Sequence, residues 1–193
     1  MMNKLIVFLL IITGAFTLSS CQDDFSPKPR GYNRIELLPK GYHTFDSTCN
    51  FAFEIPKYAA ILPYDGPDAR PCWLNIHFPY YNATLHLSYS HVQSENGLFK
   101  LIEDSRRLVY KHTIKTDEII ENYIERPGKS GIVYELTGNT ATALQFYMTD
   151  STQHFLRGSL YFNIRTNPDS VAPVLQYLTN DVEHLISSLH WKK

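Results

Sequence analysis

Two short segments alternate so regularly that few folds remain open to the chain. Trp73–Phe78 reads WLNIHF and Thr84–Ser90 reads TLHLSYS. Leu74, Ile76 and Phe78 share one side of the first, and Leu85, Leu87 and Tyr89 share one side of the second. Successive side chains of a strand point to opposite faces, so each segment has an apolar and a polar face. Only Pro79–Ala83 separates them, too short a link for a crossover, and it carries turn residues. The pair predicts an antiparallel hairpin with one face on a core. A register that keeps the apolar residues together puts His77 and His86 on the polar face, opposite or diagonal to one another.

The remaining chain fills out a mixed domain. Phe51–Ile55 reads as a short strand ended by Pro56. Asn96–Thr113 places Leu98, Leu101, Ile102, Ser105, Leu108, Val109 and His112 on one stripe, the spacing of a helix lying on a core. Ser170–His190 does the same with Val171, Val174, Leu175, Leu178, Val182, Leu185, Ile186 and Leu189. Asp169 or Ser170 can cap it, with Pro173 in its first turn. Between the helices, strands are expected at Glu118–Glu125, Gly131–Thr137, Thr142–Thr149 and Phe155–Arg165, separated by the turn signals ERPGKSG, TGNT and TDSTQ. The order is three strands, helix, four strands, helix. Short turns pair the strands antiparallel, and the helices cover sheet faces. The expectation is an α+β domain, with a central antiparallel sheet of six or seven strands flanked by two helices. The Mog1/PsbP-type fold is one known solution of this order, an analogy of topology that implies no shared activity.

The front end decides where such a domain works. Lys4 precedes the apolar run Leu5–Ile12, and TGAFTLSS then leads to Cys21. This is the layout of a secretory signal. The run falls short of the roughly 20 apolar residues that span a bilayer. Leu18-Ser19-Ser20-Cys21 is similar to a bacterial lipobox, in which the thiol of the cysteine is acylated and the chain is cut just before it. The reading divides the chain into a lipoprotein signal peptide (Met1–Ser20), a lipidated flexible tether (Cys21–Gly31) and a single domain (Tyr32–Lys193). The tether sequence QDDFSPKPRG holds two prolines, mixed charge and few apolar groups, and stays extended. Pro27, Lys28, Pro29, Arg30, Gly31, Tyr32 and Arg34 are the candidate partner-binding stretch, stiffened by its prolines, in which Arg30, Tyr32 and Arg34 can meet a partner protein or anionic headgroups. Alternatively, Tyr32 and Ile35 begin an edge strand and the arginines face water.

Without Met1–Ser20 the chain has 17 basic and 19 acidic residues, a net charge of −2. A nucleic-acid binder would show a basic surplus, so no nucleic-acid partner is expected. With Cys21 taken by lipid, Cys49 and Cys72 remain. An even pair in an exported chain points to one disulfide, with two buried thiols as the alternative. The chain has no GxSxG elbow, HExxH pair, Walker A loop or GxGxxG after a strand. GKSG at Gly128–Gly131 reads as a turn. His77 and His86 are the remaining hint of chemistry, with His91 a further candidate, but catalytic zinc takes three protein ligands. No metal, cofactor or catalytic residue is assigned. Asp46, Asp150 and Asp169 each start an Asp-Ser-X triplet, a weak glycosylation signal.

Three stretches together carry a family resemblance: PKPRGYNRIEL (Pro27–Leu37), FDSTCNFAFEIPKYA (Phe45–Ala59) and CWLNIHFPYYNATLHLSYS (Cys72–Ser90). Their order behind the lipobox resembles the gliding motility lipoprotein GldD family across nearly the whole mature chain. The resemblance implies a cell-envelope lipoprotein needed for surface gliding. It also implies a structural or assembly role beside the type IX secretion machinery, with the outer membrane favoured, and no enzymatic activity. The expected partners are a lipid bilayer, reached through acylated Cys21, and other gliding or secretion envelope proteins. The competing expectation is a periplasmic ligand-binding lipoprotein module with an aromatic-lined pocket between sheet and helix, and a third is an envelope hydrolase centred on His77 and His86.

Overall fold

A computed structural model of the chain describes residues 35–111, 116–163 and 168–192. Among the described residues, nine strands come before the last helix. They are β1 (Tyr42–Asp46), β2 (Phe51–Pro56), β3 (Ala60–Pro63), β4 (Leu74–Phe78), β5 (Ala83–His91), β6 (Thr116–Arg126), β7 (Lys129–Gly138), β8 (Thr142–Thr149) and β9 (His154–Phe162). Helix α1 (Glu95–Tyr110) lies between β5 and β6, and α2 (Pro168–Ser188) follows β9 and leads into β10 (His190–Trp191). Seven strands form one antiparallel sheet in the order β3-β4-β5-β9-β8-β7-β6, and β1-β2-β10 form a second. The expected α+β class and the seven-stranded central sheet are what the chain adopts.

The hairpin forms as its alternation requires. Leu74 faces Leu87, Ile76 faces Leu85 and Phe78 faces Ala83, so the apolar residues of β4 and β5 share one face. Leu156 and Leu160 of β9 and Leu144, Phe146 and Met148 of β8 continue that inner face. Phe51, Phe53 and Ile55 of β2 and Val174, Leu178, Val182, Leu185 and Ile186 of α2 pack onto it. Burying a Leu or Phe side chain contributes about 1.5–3 kcal/mol, so this cluster dominates the stability of the domain. Close packing leaves no room for a side chain at Gly158. A Cβ there would run into the ring of Phe146, its cross-strand partner.

The opposite, outer face is divided. Over one half, Leu98, Leu101, Ile102 and Val109 of α1 meet Tyr134, Leu136, Tyr147 and Phe155. The other half, over β4, β5 and the later part of β9, carries polar side chains, and among the described residues neither helix covers it.

Several boundaries differ from the sequence reading. Helix α1 begins at Glu95, because the Ser94 side chain accepts from Gly97 N–H at 3.1 Å and caps it. Leu108, assigned to the buried stripe, is exposed, while Ser105 and Val109 are buried; His112 lies outside the described residues. Helix α2 starts at Pro168, ahead of the expected caps Asp169 and Ser170, so Pro173 stands beyond the first turn. Its other end is satisfied from a distance. The Lys129 ammonium donates to the carbonyls of Ile186, Ser187 and Leu189 at 2.6–2.9 Å, placing a cation at the negative end of the helix. Strands β1, β3 and β10 were not expected. They are short, and β1 and β3 are mostly exposed, so their own patterns are weak.

Candidate functional site

The expected lipidation site Cys21 and the expected partner-binding residues Pro27, Lys28, Pro29, Arg30, Gly31, Tyr32 and Arg34 lie outside the described residues. Ile35, which the alternative reading joined with Tyr32 at the start of an edge strand, is in neither sheet; among the described residues the first strand begins at Tyr42. Residues 35–42 instead form a strap across α2. Ile35 and Leu38 pack on the main core. Leu38 N–H donates to the Tyr81 hydroxyl at 2.9 Å, and the Tyr177 hydroxyl donates to Leu38 O. At its centre is Asp181, only 2% exposed. Its carboxylate accepts from Lys40 Nζ at 2.6 Å, from the Tyr42 hydroxyl at 2.8 Å and from the Tyr58 hydroxyl. Burial, and then donation to this carboxylate, hold both phenols well above the ordinary tyrosine range. The buried charge is therefore compensated, and it fixes the first described residues to the domain.

Cys49 and Cys72 form a disulfide with Cα atoms 5.6 Å apart. It ties the lead into β2, in the smaller sheet, to the lead into β4, near the edge of the larger one. The buried-thiol alternative is thereby set aside.

The histidines are diagonal. His86 is directly opposite Asn75, and His77 opposite Thr84. Each imidazole is engaged by that neighbour: His86 Nδ1 is 2.7 Å from Asn75 Oδ1, and His77 Nδ1 is 3.2 Å from Thr84 Oγ1. His91 is 6.5 Å from His154, ring centre to ring centre. His154 is in turn held by the Tyr89 hydroxyl at 2.8 Å and stacked on Trp191. Among the described residues no three His, Cys, Asp or Glu side chains gather closely enough to hold a metal ion.

The uncovered half of the outer face holds a cleft of about 380 Å³, lined chiefly by Tyr64, Trp73, Asn75, His86, Arg157 and Tyr161. It opens on the sheet surface, whereas the competing sequence reading expected a pocket between sheet and helix; a separate apolar cavity of about 260 Å³ does lie there, between Leu136 and Phe162 of the sheet and Val171 and Leu175 of α2. Its floor is a row of polar side chains running across four strands. Asn75 of β4 faces His86 of β5, His86 faces Ser159 of β9, and Ser159 faces Gln145 of β8. Arg157 Nη2 donates to Gln145 Oε1 at 2.6 Å, and the Ser159 hydroxyl to the same oxygen at 3.4 Å. Burial pulls the Arg157 guanidinium down from its ordinary value and lowers the His86 imidazole in the same way. The sequence reading missed Arg157. The available signal was a guanidinium in the middle of FLRGSLYF, a strand whose neighbouring positions are almost all buried.

The fold has a solved counterpart. The chain is similar to cyanobacterial PsbP (CyanoP) from Synechocystis sp. PCC 6803, known in solution, with a TM-score of 0.52 and 11% identity over 82% of this chain and 97% of that one. At that identity the likeness is one of fold, and it agrees with the topology expected from the order of elements. No curated protein matches the sequence. A family model described as gliding motility lipoprotein GldD matches residues 22–191, beginning directly after Cys21 and ending inside β10. With nearly all of the sequence beyond the lipobox matched, the chain belongs to the gliding motility lipoprotein GldD family.

Proposed function

We propose that the protein is a non-catalytic assembly factor, moored to an envelope membrane by acyl chains on Cys21 and supporting the gliding apparatus and its associated type IX secretion machinery. The family match from residue 22 onward, immediately behind the LSSC motif, carries this reading. No helix among the described residues is long and apolar enough to cross a membrane. Lipid on one sulfur is a sufficient anchor, because each buried methylene contributes about 0.8 kcal/mol and two chains attach stably. The outer membrane is the favoured site. The residues Pro27–Arg34 stand in sequence between this anchor and the strap on α2. That position suits them to meet partner proteins close to the membrane surface. The disposition of His77 and His86, each bound to a cross-strand neighbour, supports a bracing role for them over a catalytic one.

The test is a Cys21→Ala protein given a cleavable secretory signal, so that it is exported without lipid. Cells carrying it are expected to lose gliding, and secretion into the medium, as completely as a deletion strain. Wild-type spreading by cells holding normal amounts of the exported, unlipidated protein would overturn the proposal.

A further inference from the structure

One half-buried cation of this domain differs from several others whose charge is met. Lys40 meets Asp181, Lys192 meets Asp46, and Lys129 meets three helix-end carbonyls. Arg157 stands midway along β9, the central strand of the sheet, yet among the described residues no carboxylate pairs with it. Its one hydrogen bond to the chain goes to the neutral amide of Gln145. A guanidinium carries five N–H donors in a rigid fork. Removing them from water without an anion is costly, and the fork fits a carboxylate by two parallel hydrogen bonds. The amide it leans on is also incompletely satisfied: Gln145 Nε2 is buried and has no acceptor.

The surroundings say what kind of anion. The charged group sits at the floor of the 380 Å³ cleft, near the lower end of the roughly 300–1,000 Å³ typical of small-molecule sites. Beside it are an amide, an imidazole and two hydroxyls (Asn75, His86, Ser88 and Ser159), donors and acceptors suited to a ligand rich in hydroxyls. One wall is the Trp73 ring. Its Nε1 donates to Tyr89 O at 3.0 Å, and the Arg70 guanidinium lies 5.5 Å from the ring centre, so the indole is held in place. Arg157 is the one lysine or arginine among the residues lining the cleft, so the floor offers a single permanent positive charge. That matches a monoanion better than a phosphate dianion.

We propose that this cleft binds a small acidic sugar, with its carboxylate on the Arg157 guanidinium, its hydroxyls on Asn75, His86 and Ser159, and its ring against Trp73. None of these residues belongs to the anchor or tether sequence, so loss of binding here and loss of assembly function are distinguishable.

The experiment uses the full lipidated chain in detergent, titrated calorimetrically with D-glucuronate, D-glucose and inorganic phosphate. Glucuronate is expected to bind saturably and at least about tenfold more tightly than glucose, the ratio expected for a charge-assisted fork against a hydroxyl. Arg157→Met is expected to abolish that preference. Without ligand it is expected to melt at or above the wild-type temperature, since it removes a half-buried charge that has no anionic partner among the described residues. Asn75→Ala, at the half-buried end of the floor row, is expected to weaken glucuronate severalfold with the fold intact. It serves as the readout if Arg157→Met does not fold. No saturable glucuronate binding at concentrations up to about 20 mM, weaker than any working affinity, would overturn the proposal. Equal affinity for glucose, or a preference for phosphate, would overturn it too.

Discussion

The Cys49–Cys72 bridge gives the most quantitative test of how this domain is held together. It closes a loop with a sequence separation of 23 that contains β2, β3 and the proline-flanked stretch Pro63–Pro71. Cross-linking removes conformational entropy from the unfolded chain, and for a loop of this size the loss is about 11.5 cal/mol/K, or about 3.4 kcal/mol at 25 °C. For a domain of this size each kcal/mol moves the melting temperature by about 2–4 °C, so Cys49→Ala/Cys72→Ala should lower it by roughly 7–14 °C. A second variant separates loop entropy from local geometry. Cys72 has a φ of 64°, in the left-handed region, where a non-glycine residue costs about 1–2 kcal/mol. Cys49→Ala/Cys72→Gly should therefore lose less than the double alanine variant, by up to about 1 kcal/mol once the freedom of glycine in the unfolded chain is subtracted. The assay is thermal unfolding of the full lipidated chain followed by circular dichroism, oxidised and after reduction. A double alanine variant melting within about 2 °C of wild type would refute the loop-entropy account. It would mean that other contacts already restrain residues 49–72 in the unfolded ensemble.

Two further perturbations test the strap and a turn. Asp181→Ala removes the shared acceptor of Lys40, Tyr42 and Tyr58. Breaking such a buried charged network costs about 3–5 kcal/mol. Urea unfolding should show this loss, and limited proteolysis should show earlier cleavage within residues 35–41; a loss under about 1 kcal/mol would mean the network is solvated. Asp150 tests pH dependence. Partial burial raises its pKa, but the N–H groups of His154, Thr152 and Gln153 and the Thr152 hydroxyl outweigh this and bring it to about 2, from 3.8. A carboxyl whose folded pKa is depressed stabilises the fold fully above its unfolded value and loses that contribution as pH falls through the folded one. Wild type should therefore lose about 1–2 kcal/mol between about pH 5 and pH 2 that Asp150→Asn does not, after allowance for solvent screening. Parallel stability profiles of the two proteins over that window would contradict this.

Much of the molecule is legible along one dimension, for a physical reason. Side-chain direction repeats every two residues in a strand and every 3.6 in a helix, so a single segment reveals which of its faces is buried. The β4–β5 register follows from Leu74, Ile76, Leu85 and Leu87 alone, and the inner face of α2 from Val174 to Ile186. The lipobox and the leftover cysteine pair are likewise local or arithmetic features. Strands β1 and β10 escape this reading because their stability comes from pairing with β2, at residues distant in the chain. The same holds for Asp181, an acidic residue on an amphipathic helix until Lys40, Tyr42 and Tyr58 converge on it. The cleft depends most on the third dimension. Asn75, His86, Ser159 and Gln145 come from four strands and become a row because β9 inserts between β5 and β8. No periodicity within a strand encodes which strand will lie beside it. Packing of the whole sheet against α2 and β2 decides that order, and with it the surroundings of Arg157.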